Sequence, residues 1–284
     1  MAKSKAIVHG AVSIVNAIAN KKGATLGISL KVEAKVEATP GKGIIIQSKN
    51  KTLSSRLINK TVEKILTKKE LQKNKITIVL ESEIPTGYGL KSSSAISSAV
   101  ALACAKIFKP DLTDQKILLA GVQASIESKV SITGAYDDAC SCYFGGFNVT
   151  DNFKKQIVRS EKIPTNLIAV IFVPRNRKRG NVKKLKILSA VFYNAWRLAK
   201  NSNYWQAMII NGLATSTILN SDPKIIIDIL EKGAIAASIS GNGPAIAAIT
   251  KKENEQNVKK VFSSLDGNVI VSKINNKKAE VYDL

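Results

Sequence analysis

A segment rich in glycine and serine combines the residue types that bind anions. It reads PTGYGLKSSSA over residues 85–95 and lies between an extended run and a small-residue helical pattern. Glycine lets the backbone approach a phosphate group closely, and the free N–H groups and dipole at the start of a helix favour negative charge. A lysine adds a positive charge, and serine hydroxyls can bind phosphate oxygens or magnesium. The segment predicts a phosphate site, although a glycine turn with a serine helix cap fits the pattern alone equally well.

We name this segment the phosphate loop. Its members are Pro85, Thr86, Gly87, Tyr88, Gly89, Leu90, Lys91, Ser92, Ser93, Ser94 and Ala95. The pattern GxxxxGK[ST] occurs nowhere in the chain, which disfavours a P-loop kinase.

Acidic residues are sparse in the segment that follows the loop. Between residues 115 and 150 they are Glu127, Asp137 and Asp138, and small or apolar residues surround them. A carboxylate in such surroundings is partly desolvated, which is unfavourable unless it binds a cation or a hydrogen-bond donor. Phosphoryl transfer needs a metal ion on the phosphate oxygens and a residue that orients or deprotonates the attacking hydroxyl. These carboxylates are candidates for both roles, while turn-forming or capping aspartates are the alternative interpretation of Asp137 and Asp138.

Seven of the twelve residues from 175 to 186 are basic. An anionic group is expected to bind there, and a planar guanidinium group can form paired hydrogen bonds with such a group, so Arg175, Arg177 or Arg179 is a candidate for substrate binding. A solvated basic loop is at least as good an interpretation for any single one of them.

Hydrophobic periodicity predicts the elements that position these residues. Strands are expected at 6–8, 28–36, 44–46 and 76–80, and helices at 52–67, 92–108 and 113–127. After short strands within 145–173, helices are expected at 181–198, 204–219, 223–231 and 253–264, and strands at 234–239, 245–249 and 268–274. The order predicts an α+β protein with two domains, 1–165 and 166–284, although no linker marks the boundary.

Charge and length limit the class of protein. The 284 residues are enough for one or two domains, and 43 basic against 21 acidic side chains give a formal charge of +22. Such an excess predicts an anionic partner. A nucleic-acid-binding protein is therefore a second hypothesis, but aromatic residues make up only 5% of the chain and the basic segment has none for base stacking, which disfavours it.

The few cysteines and the single histidine exclude several chemistries. Cys104, Cys140 and Cys142 cannot form an even-numbered disulfide framework and lack the CxxC spacing of a structural zinc site. His9 alone disfavours a multi-histidine metal site or an HExxH protease. No run of about 18 apolar residues is present, and the N-terminus lacks a convincing cleavage signal, so we expect a cytoplasmic protein without a membrane segment.

The phosphate loop resembles the PxxxGLxSSA signature of the GHMP kinases, the superfamily of galactokinase, homoserine, mevalonate and phosphomevalonate kinases. Two further segments resemble motifs of that family in the same order: AIVHGAVSIVN at 6–16 and SISGNGPA at 238–245. With TGAYDDAC at 133–140, the segments are most similar to the archaeal-type shikimate kinases. The family's common Gly-Glu-His is Gly10-Ala11-Val12 here, which argues against a galactokinase-like sugar site, and Lys91 stands where glycine is usual.

The resemblance implies a two-domain α+β GHMP kinase fold, with a mixed α/β ATP-binding domain followed by a ferredoxin-like α+β domain. It implies that ATP and Mg²⁺ are used to phosphorylate the 3-hydroxyl of shikimate in chorismate synthesis. A homoserine or mevalonate kinase is the alternative within the class. A monomer or a homodimer is expected, with no membrane or nucleic-acid partner.

The resemblance also implies roles for individual residues. Asp137, eight positions before Gly145-Gly146, matches the catalytic aspartate, and Asp138 stands at the family's Asn/Gln position. Glu127 matches the magnesium-binding glutamate, with Ser93 as its partner. Lys5 matches a lysine near the transferred phosphate, for which a solvated terminal charge is an equal alternative. Substrate contacts are expected from His9, Asn16, Asp137, Arg175, Arg177, Arg179, Gly241 and Gly243.

Overall fold

The computed structural model describes residues 2–48, 53–131, 134–178 and 180–284. In chain order the first half contains β1 (Ala2–Val15), β2 (Lys22–Pro40), β3 (Gly43–Ser48), α1 (Ser55–Ile65), α2 (Lys68–Lys73), β4 (Asn74–Ser82), α3 (Ser92–Phe108), α4 (Asp114–Glu127), α5 (Tyr136–Phe144), β5 (Phe147–Asp151) and β6 (Gln156–Glu161). The second half contains β7 (Leu167–Pro174), a 3-10 helix (Val182–Leu188), α6 (Ser189–Lys200), α7 (Tyr204–Ile218), α8 (Lys224–Glu231), β8 (Ala236–Ile239), β9 (Ile246–Lys251), a 3-10 turn (Lys252–Asn254), α9 (Glu255–Phe262), β10 (Gly267–Lys273) and β11 (Glu280–Asp283).

The larger sheet has seven strands among the residues described. Its order is β11-β1-β2-β4-β3, and β5 pairs with β2 and β6 with β5. All pairs are antiparallel except β3 with β4. Helices α3 and α5 pack on β1 and β2, and Ser4 of β1 donates a hydrogen bond to the Ala103 carbonyl of α3 at 2.8 Å. This sheet supports both segments that carry the predicted chemistry.

The smaller sheet is antiparallel, in the order β10-β7-β9-β8. Alternate side chains of β7 enter two apolar clusters, because successive residues of a strand point to opposite faces. Val170 and Phe172 pack with α8 and α9, and Ala169 and Ile171 belong to the cluster that includes α6 and α7. The sheet is therefore covered on both faces, and the α+β prediction is confirmed.

Three differences from the expected elements stand out. β1 and β2 run well beyond 6–8 and 28–36, because the charged residues that interrupt the apolar pattern lie on the open face of the larger sheet. The short helices α2 and α5 were not expected, and β11 returns from the end of the chain to pair with β1. Apart from β11, sheet membership follows a division near residue 165, which stays a proposal.

Across residues 2–48, 53–131, 134–178 and 180–284, each helix is too short or too polar to span a bilayer.

Candidate active site

A cleft of about 490 Å³ lies where the phosphate loop, the start of α5, the end of β1 and the turn at residues 240–245 meet. Seven of the eleven residues of the phosphate loop line it: Thr86, Gly87, Gly89, Lys91, Ser92, Ser93 and Ser94. The buried side chains of Leu90 and Ala95 anchor the loop in the core. The cleft is thus the meeting point of motifs that are far apart in the sequence.

The backbone of the phosphate loop has the geometry of an anion site. Gly87 and Gly89 have φ of +86° and +85°, and Lys91, the residue before α3, has φ of +66°. These left-handed conformations turn the chain so that α3 starts at the cleft. The three serines at the start of α3 line the cleft together with this turn. Their backbone N–H groups lie in the first helical turn and have no carbonyl acceptor within the helix.

The loop is fixed to the turn at residues 240–245. The Ser240 hydroxyl donates to the Gly89 carbonyl at 2.8 Å, and the Ala245 N–H donates to the Tyr88 carbonyl at 3.2 Å. A side chain at position 89 would collide with the Ser240 carbonyl, so this close approach requires glycine. The segment SISGNGPA at residues 238–245 therefore packs directly against the phosphate loop.

Lys91 connects the loop to the acidic residues of α5. Its ammonium group donates to the Ser13 hydroxyl at 2.7 Å and forms an ion pair with Asp138 at 2.8 Å, and the side chain is only 4% exposed. A buried ammonium group is tolerated only with such partners. The residue type predicted a phosphate contact, but nothing in the sequence indicated the partner carboxylate.

Asp137 lies in the first turn of α5, which follows Ala135 with φ of +50°. Its carboxylate is buried at the cleft and accepts a hydrogen bond from the Asn152 amide at 2.7 Å. The space beside it exists because residue 23 is a glycine, since a side chain there would collide with the Asp137 carboxylate. The Thr25 hydroxyl donates to the Asp137 backbone carbonyl at 2.8 Å.

Burial, followed by repulsion from Asp138, raises the pKa of Asp137 to about 7. The Lys91 ammonium group and the hydrogen bond from Asn152 oppose this shift in the pKa. A carboxyl group with such a pKa can accept a proton near neutral pH, which an ordinary aspartate does poorly. The site thus contains a base of useful strength beside a phosphate-binding loop.

Another wall of the cleft consists of the end of β1, with Asn16 directly after it, and the turn at residues 240–245. Hydrogen bonds join these segments. Asn16 donates to the Gly241 carbonyl at 2.7 Å, and the Gly241 N–H donates to the Ser13 hydroxyl at 2.9 Å. Asn16 and Gly241 therefore lie at the cleft, as Ser13 does. Gly243 lines a second cavity of about 260 Å³ behind this turn.

One end of the cleft is apolar. It is lined by Leu53, Leu57, Ile96 and Val130, and Ser125 lines the cleft as well. These side chains come from α1 or its approach, α3, and the end of α4 and the turn after it. Sequence analysis missed this group because each member has the periodicity of an ordinary core residue.

The structure does not bring Lys5 and His9 to the cleft. Both belong to the partly exposed positions that alternate with buried residues along β1, on the face of the sheet away from α3. Lys5 forms an ion pair with Glu33 at 2.6 Å. The Nδ1 atom of His9 is buried without a hydrogen-bond partner, and burial lowers the pKa of the imidazole. Their expected roles stay predictions that the geometry does not support.

Glu127 is not among the residues that line the cleft either. It ends α4, its side chain is 43% exposed, and it forms an ion pair with Lys64 of α1. Ser93, its predicted partner in binding magnesium, does line the cleft. Within the described part of the chain, no three Asp, Glu, His or Cys side chains form a metal-binding cluster. A magnesium ion held mainly by phosphate oxygens and water needs no such cluster, and Ser93 fits that arrangement, while the role of Glu127 stays a prediction.

The three predicted arginines differ in position. The guanidinium group of Arg177 lies over the ring of Tyr88, 4.9 Å from its centroid, beside Gly87 of the phosphate loop. Arg175 is highly exposed and pairs with Asp266 at 3.3 Å, and Arg179 lies outside the described residues. Of the two that can be located, Arg177 is the one beside the phosphate loop.

Family models match two segments of the chain. Residues 56–146 match the GHMP kinases N terminal domain, and residues 199–267 match the GHMP kinases C terminal domain. The first match includes the phosphate loop and α5, and the second includes the turn at residues 240–245. The chain belongs to the GHMP kinases, and it is an ATP-dependent small-molecule kinase.

Within that family the chain is similar to curated shikimate kinases. The shikimate kinase of Methanosarcina acetivorans is 37% identical over 281 residues, which are 96% of this chain and 95% of that protein. The shikimate kinase of Pyrococcus furiosus is 35% identical over 268 residues, which are 92% of this chain and 96% of that protein. The similarity therefore extends through both domains.

Solved structures confirm the predicted two-domain GHMP kinase fold. A homoserine kinase from Cytophaga hutchinsonii superposes with a TM-score of 0.77 at 20% identity, covering 99% of this chain and 97% of that one. The mevalonate kinase of Methanococcus jannaschii gives 0.76 at 15% identity, covering 96% and 98%. At such identities the likeness defines the fold alone.

Proposed function

We propose that this chain is a shikimate kinase, which transfers the γ-phosphoryl group of ATP to the 3-hydroxyl of shikimate and releases ADP and 3-phosphoshikimate. The observation that carries the proposal is a buried aspartate with a raised pKa in the same cleft as a glycine, lysine and serine loop at a helix N-terminus. Similarity to shikimate kinases over nearly the whole chain supports the acceptor.

In this proposal the phosphate loop binds the ATP phosphates through the N–H groups and hydroxyls at the start of α3. The base and ribose occupy the apolar end of the cleft, where Leu53, Leu57 and Ile96 provide contact surface. The acceptor then takes the polar end, bounded by Ser13, Asn16 and the α5 carboxylates. The γ-phosphoryl group lies between the two ends, in reach of both.

Asp137 is the proposed general base. It accepts the proton of the attacking hydroxyl as the oxygen–phosphorus bond forms and the bond to ADP breaks, and its raised pKa suits that task. Lys91 provides a buried positive charge between the loop and the carboxylates, where negative charge on the transferred group is stabilised.

Magnesium bound with ATP would offset the negative charge of the phosphate groups. Ser93 is the proposed protein ligand because its hydroxyl is at the phosphate loop. Glu127, the second ligand implied by the family resemblance, would first have to leave its ion pair with Lys64.

The carboxylate of the acceptor needs a cationic partner. Arg177 is our candidate because its guanidinium group is held over Tyr88 beside the loop. Replacing it with alanine should raise the KM for shikimate, with little change in the KM for ATP. An unchanged KM for shikimate would reject this assignment.

The proposed activity is tested by measuring ADP release with ATP and magnesium, with shikimate, homoserine and mevalonate offered separately. Turnover with shikimate alone is expected, and Asp137→Asn should reduce it by about 10²- to 10⁴-fold. Turnover with homoserine or mevalonate instead would assign the alternative acceptor. Release with none of the three would reject the acceptor class, while a retained rate in Asp137→Asn would reject the base.

We further propose that the enzyme acts in the cytoplasm, because its three cysteines are buried free thiols, as in a reducing compartment. Its proposed partners are ATP and shikimate, and the choice between monomer and homodimer stays a prediction.

A further inference from the structure

We propose that Asn152 is a positioning residue, whose side-chain amide holds the Asp137 carboxylate in the orientation and ionisation state needed at the cleft. The proposal rests on the proposed function in assigning the general base to Asp137. No sequence motif singled out Asn152, which directly follows β5 and is buried.

The orientation of the Asn152 amide is determined by its neighbours. Its Oδ1 atom accepts hydrogen bonds from the Thr150 hydroxyl at 2.7 Å and from the Asp137 backbone N–H at 3.2 Å. Because a backbone N–H can only donate, the oxygen must face the Asp137 N–H, and the NH₂ group must face the other way. The NH₂ group then donates to Oδ1 of the Asp137 carboxylate at 2.7 Å. One amide thus contacts both the backbone and the side chain of Asp137.

The remaining surroundings of Asp137 make this contact important. Gly23 leaves just enough space on the Oδ2 side of the carboxylate, so the side chain is confined between β2 and Asn152. The titratable groups that face it are Asp138, Lys91 and the buried thiols of Cys140 and Cys142. Lys91 is committed to Asp138 at 2.8 Å, so Asn152 is the donor whose side chain is directed at Asp137 itself.

A hydrogen bond to an ionised carboxylate favours the ionised form. Loss of the Asn152 donor should therefore raise the pKa of Asp137 further, by about one to two pH units for a bond to a charged group. A residue with a merely structural role would lower stability without moving this titration.

Asn148 provides a matched control on the same segment. It is fully buried, and its NH₂ group donates to the Ser141 hydroxyl and the Gly145 carbonyl, at 3.1 and 2.8 Å. Asn148→Leu and Asn152→Leu each remove one buried amide and add no charge. Only the second removes a donor to Asp137.

The experiment is a ¹³C NMR titration of the Asp137 side-chain carboxyl, assigned with Asp137→Asn, in the wild type, Asn152→Leu and Asn148→Leu. The pH profile of kcat/KM for shikimate is recorded for the same proteins. We expect the carboxyl titration and the acidic limb of the profile to move to higher pH in Asn152→Leu alone, with the KM for ATP unchanged. If Asn152→Leu does not fold, Asn152→Asp keeps the acceptor oxygen and should shift the titration at least as far, because it puts a second carboxylate beside the first.

The outcomes separate the two proposals. Unshifted Asp137 titrations in the Asn152 variants, or equal shifts in Asn148→Leu, would overturn the role of Asn152 whatever the activity. A shifted titration in a protein that phosphorylates no acceptor would support the role of Asn152 while the proposed function fails.

Discussion

The helices α3 and α5 both begin at the cleft after a residue with positive φ, Lys91 and Ala135, and yet they use their N-termini differently. At α3 the first turn consists of serines, and the positive charge of Lys91 lies beside it. At α5 the first turn contains two carboxylates, Asp137 and Asp138. A helix N-terminus favours negative charge. The N-terminus of α3 can therefore bind an external anion, whereas the N-terminus of α5 already contains two carboxylates.

This difference explains why two neighbouring helix N-termini do not compete for one ligand. The ion pair between Lys91 and Asp138 joins them, so the charge of each end depends on the other. We call the N-terminus of α3 the phosphate side and the N-terminus of α5 the acidic side of the cleft. Backbone geometry and serine hydroxyls determine the properties of the phosphate side, whereas burial of the carboxylates determines those of the acidic side. Changes to these features should therefore separate binding from chemistry.

The largest effect is expected from Lys91→Met, which removes the connection between the two helix ends. Loss of one preorganised charge at a transferred group lowers turnover by about 10²- to 10³-fold, and here it also leaves Asp138 without its partner. Steady-state kinetics with ATP and shikimate measure this. Lys91→Arg should not restore activity, because it replaces a compact ammonium group with a larger planar guanidinium group.

Lys64→Met is the control for this change, since it breaks a more exposed ion pair, with Glu127. Activity in Lys91→Met within tenfold of the wild type would mean that the two helix ends act independently.

A smaller effect, about tenfold per pH unit, is expected from titration of Asp137. Since the base must be ionised, kcat/KM should fall as the pH drops through about 7.

The raised pKa of Asp137 also predicts that the stability of the protein depends on pH. The folded state keeps the proton at pH values where the unfolded aspartate has lost it, so the wild type loses stability as the pH rises from the ordinary carboxyl range to about 7.

Asp137→Asn lacks this titration. Its melting temperature should therefore exceed that of the wild type above pH 7, and the two should converge near pH 4. A constant difference over that range would show that burial does not perturb Asp137.

The helices and the phosphate loop depend on residues that are close together in the sequence. Several residues of the site depend on contacts between residues that are far apart in the sequence. Helices α3 and α4 were predicted well because helical periodicity is local, and the phosphate loop was found because its eleven residues are contiguous. Ser13 could not be found in this way, because its partner Gly241 is 228 residues away. Gly23 and Asn152 matter only through contact with Asp137, which no local pattern encodes.

Lys5 and Glu127 show a different limit of sequence reasoning, and their assigned roles stay predictions. A family resemblance assigns a role to a position, but strand alternation turns Lys5 towards Glu33, and a surface cation attracts Glu127. Register and local ion pairing decide where such side chains point.

A stability effect is expected from Gly89→Ala. At φ of +85° an alanine is strained by about 1–3 kcal/mol, and here it also collides with the Ser240 carbonyl. Gly87→Ala is a well-matched control, because its φ is +86° and the nearest group to a new Cβ is the end of the Arg177 side chain. Denaturant unfolding should show a larger loss for Gly89→Ala. Equal losses would mean that the turn at residues 240–245 yields easily and does not fix the phosphate loop.

The smallest effect is expected from Glu127→Gln, which changes an acidic residue outside the cleft lining. Its carboxylate is partly exposed and paired with Lys64, and exposed ion pairs contribute at most about 1 kcal/mol. Turnover and the magnesium concentration for half-maximal activity should therefore stay within about threefold of the wild type, whereas Ser93→Ala should raise the magnesium requirement. If Glu127→Gln raises that requirement as strongly as Ser93→Ala, Glu127 leaves Lys64 to join Ser93 when ATP binds, and the acidic side of the cleft extends to the end of α4.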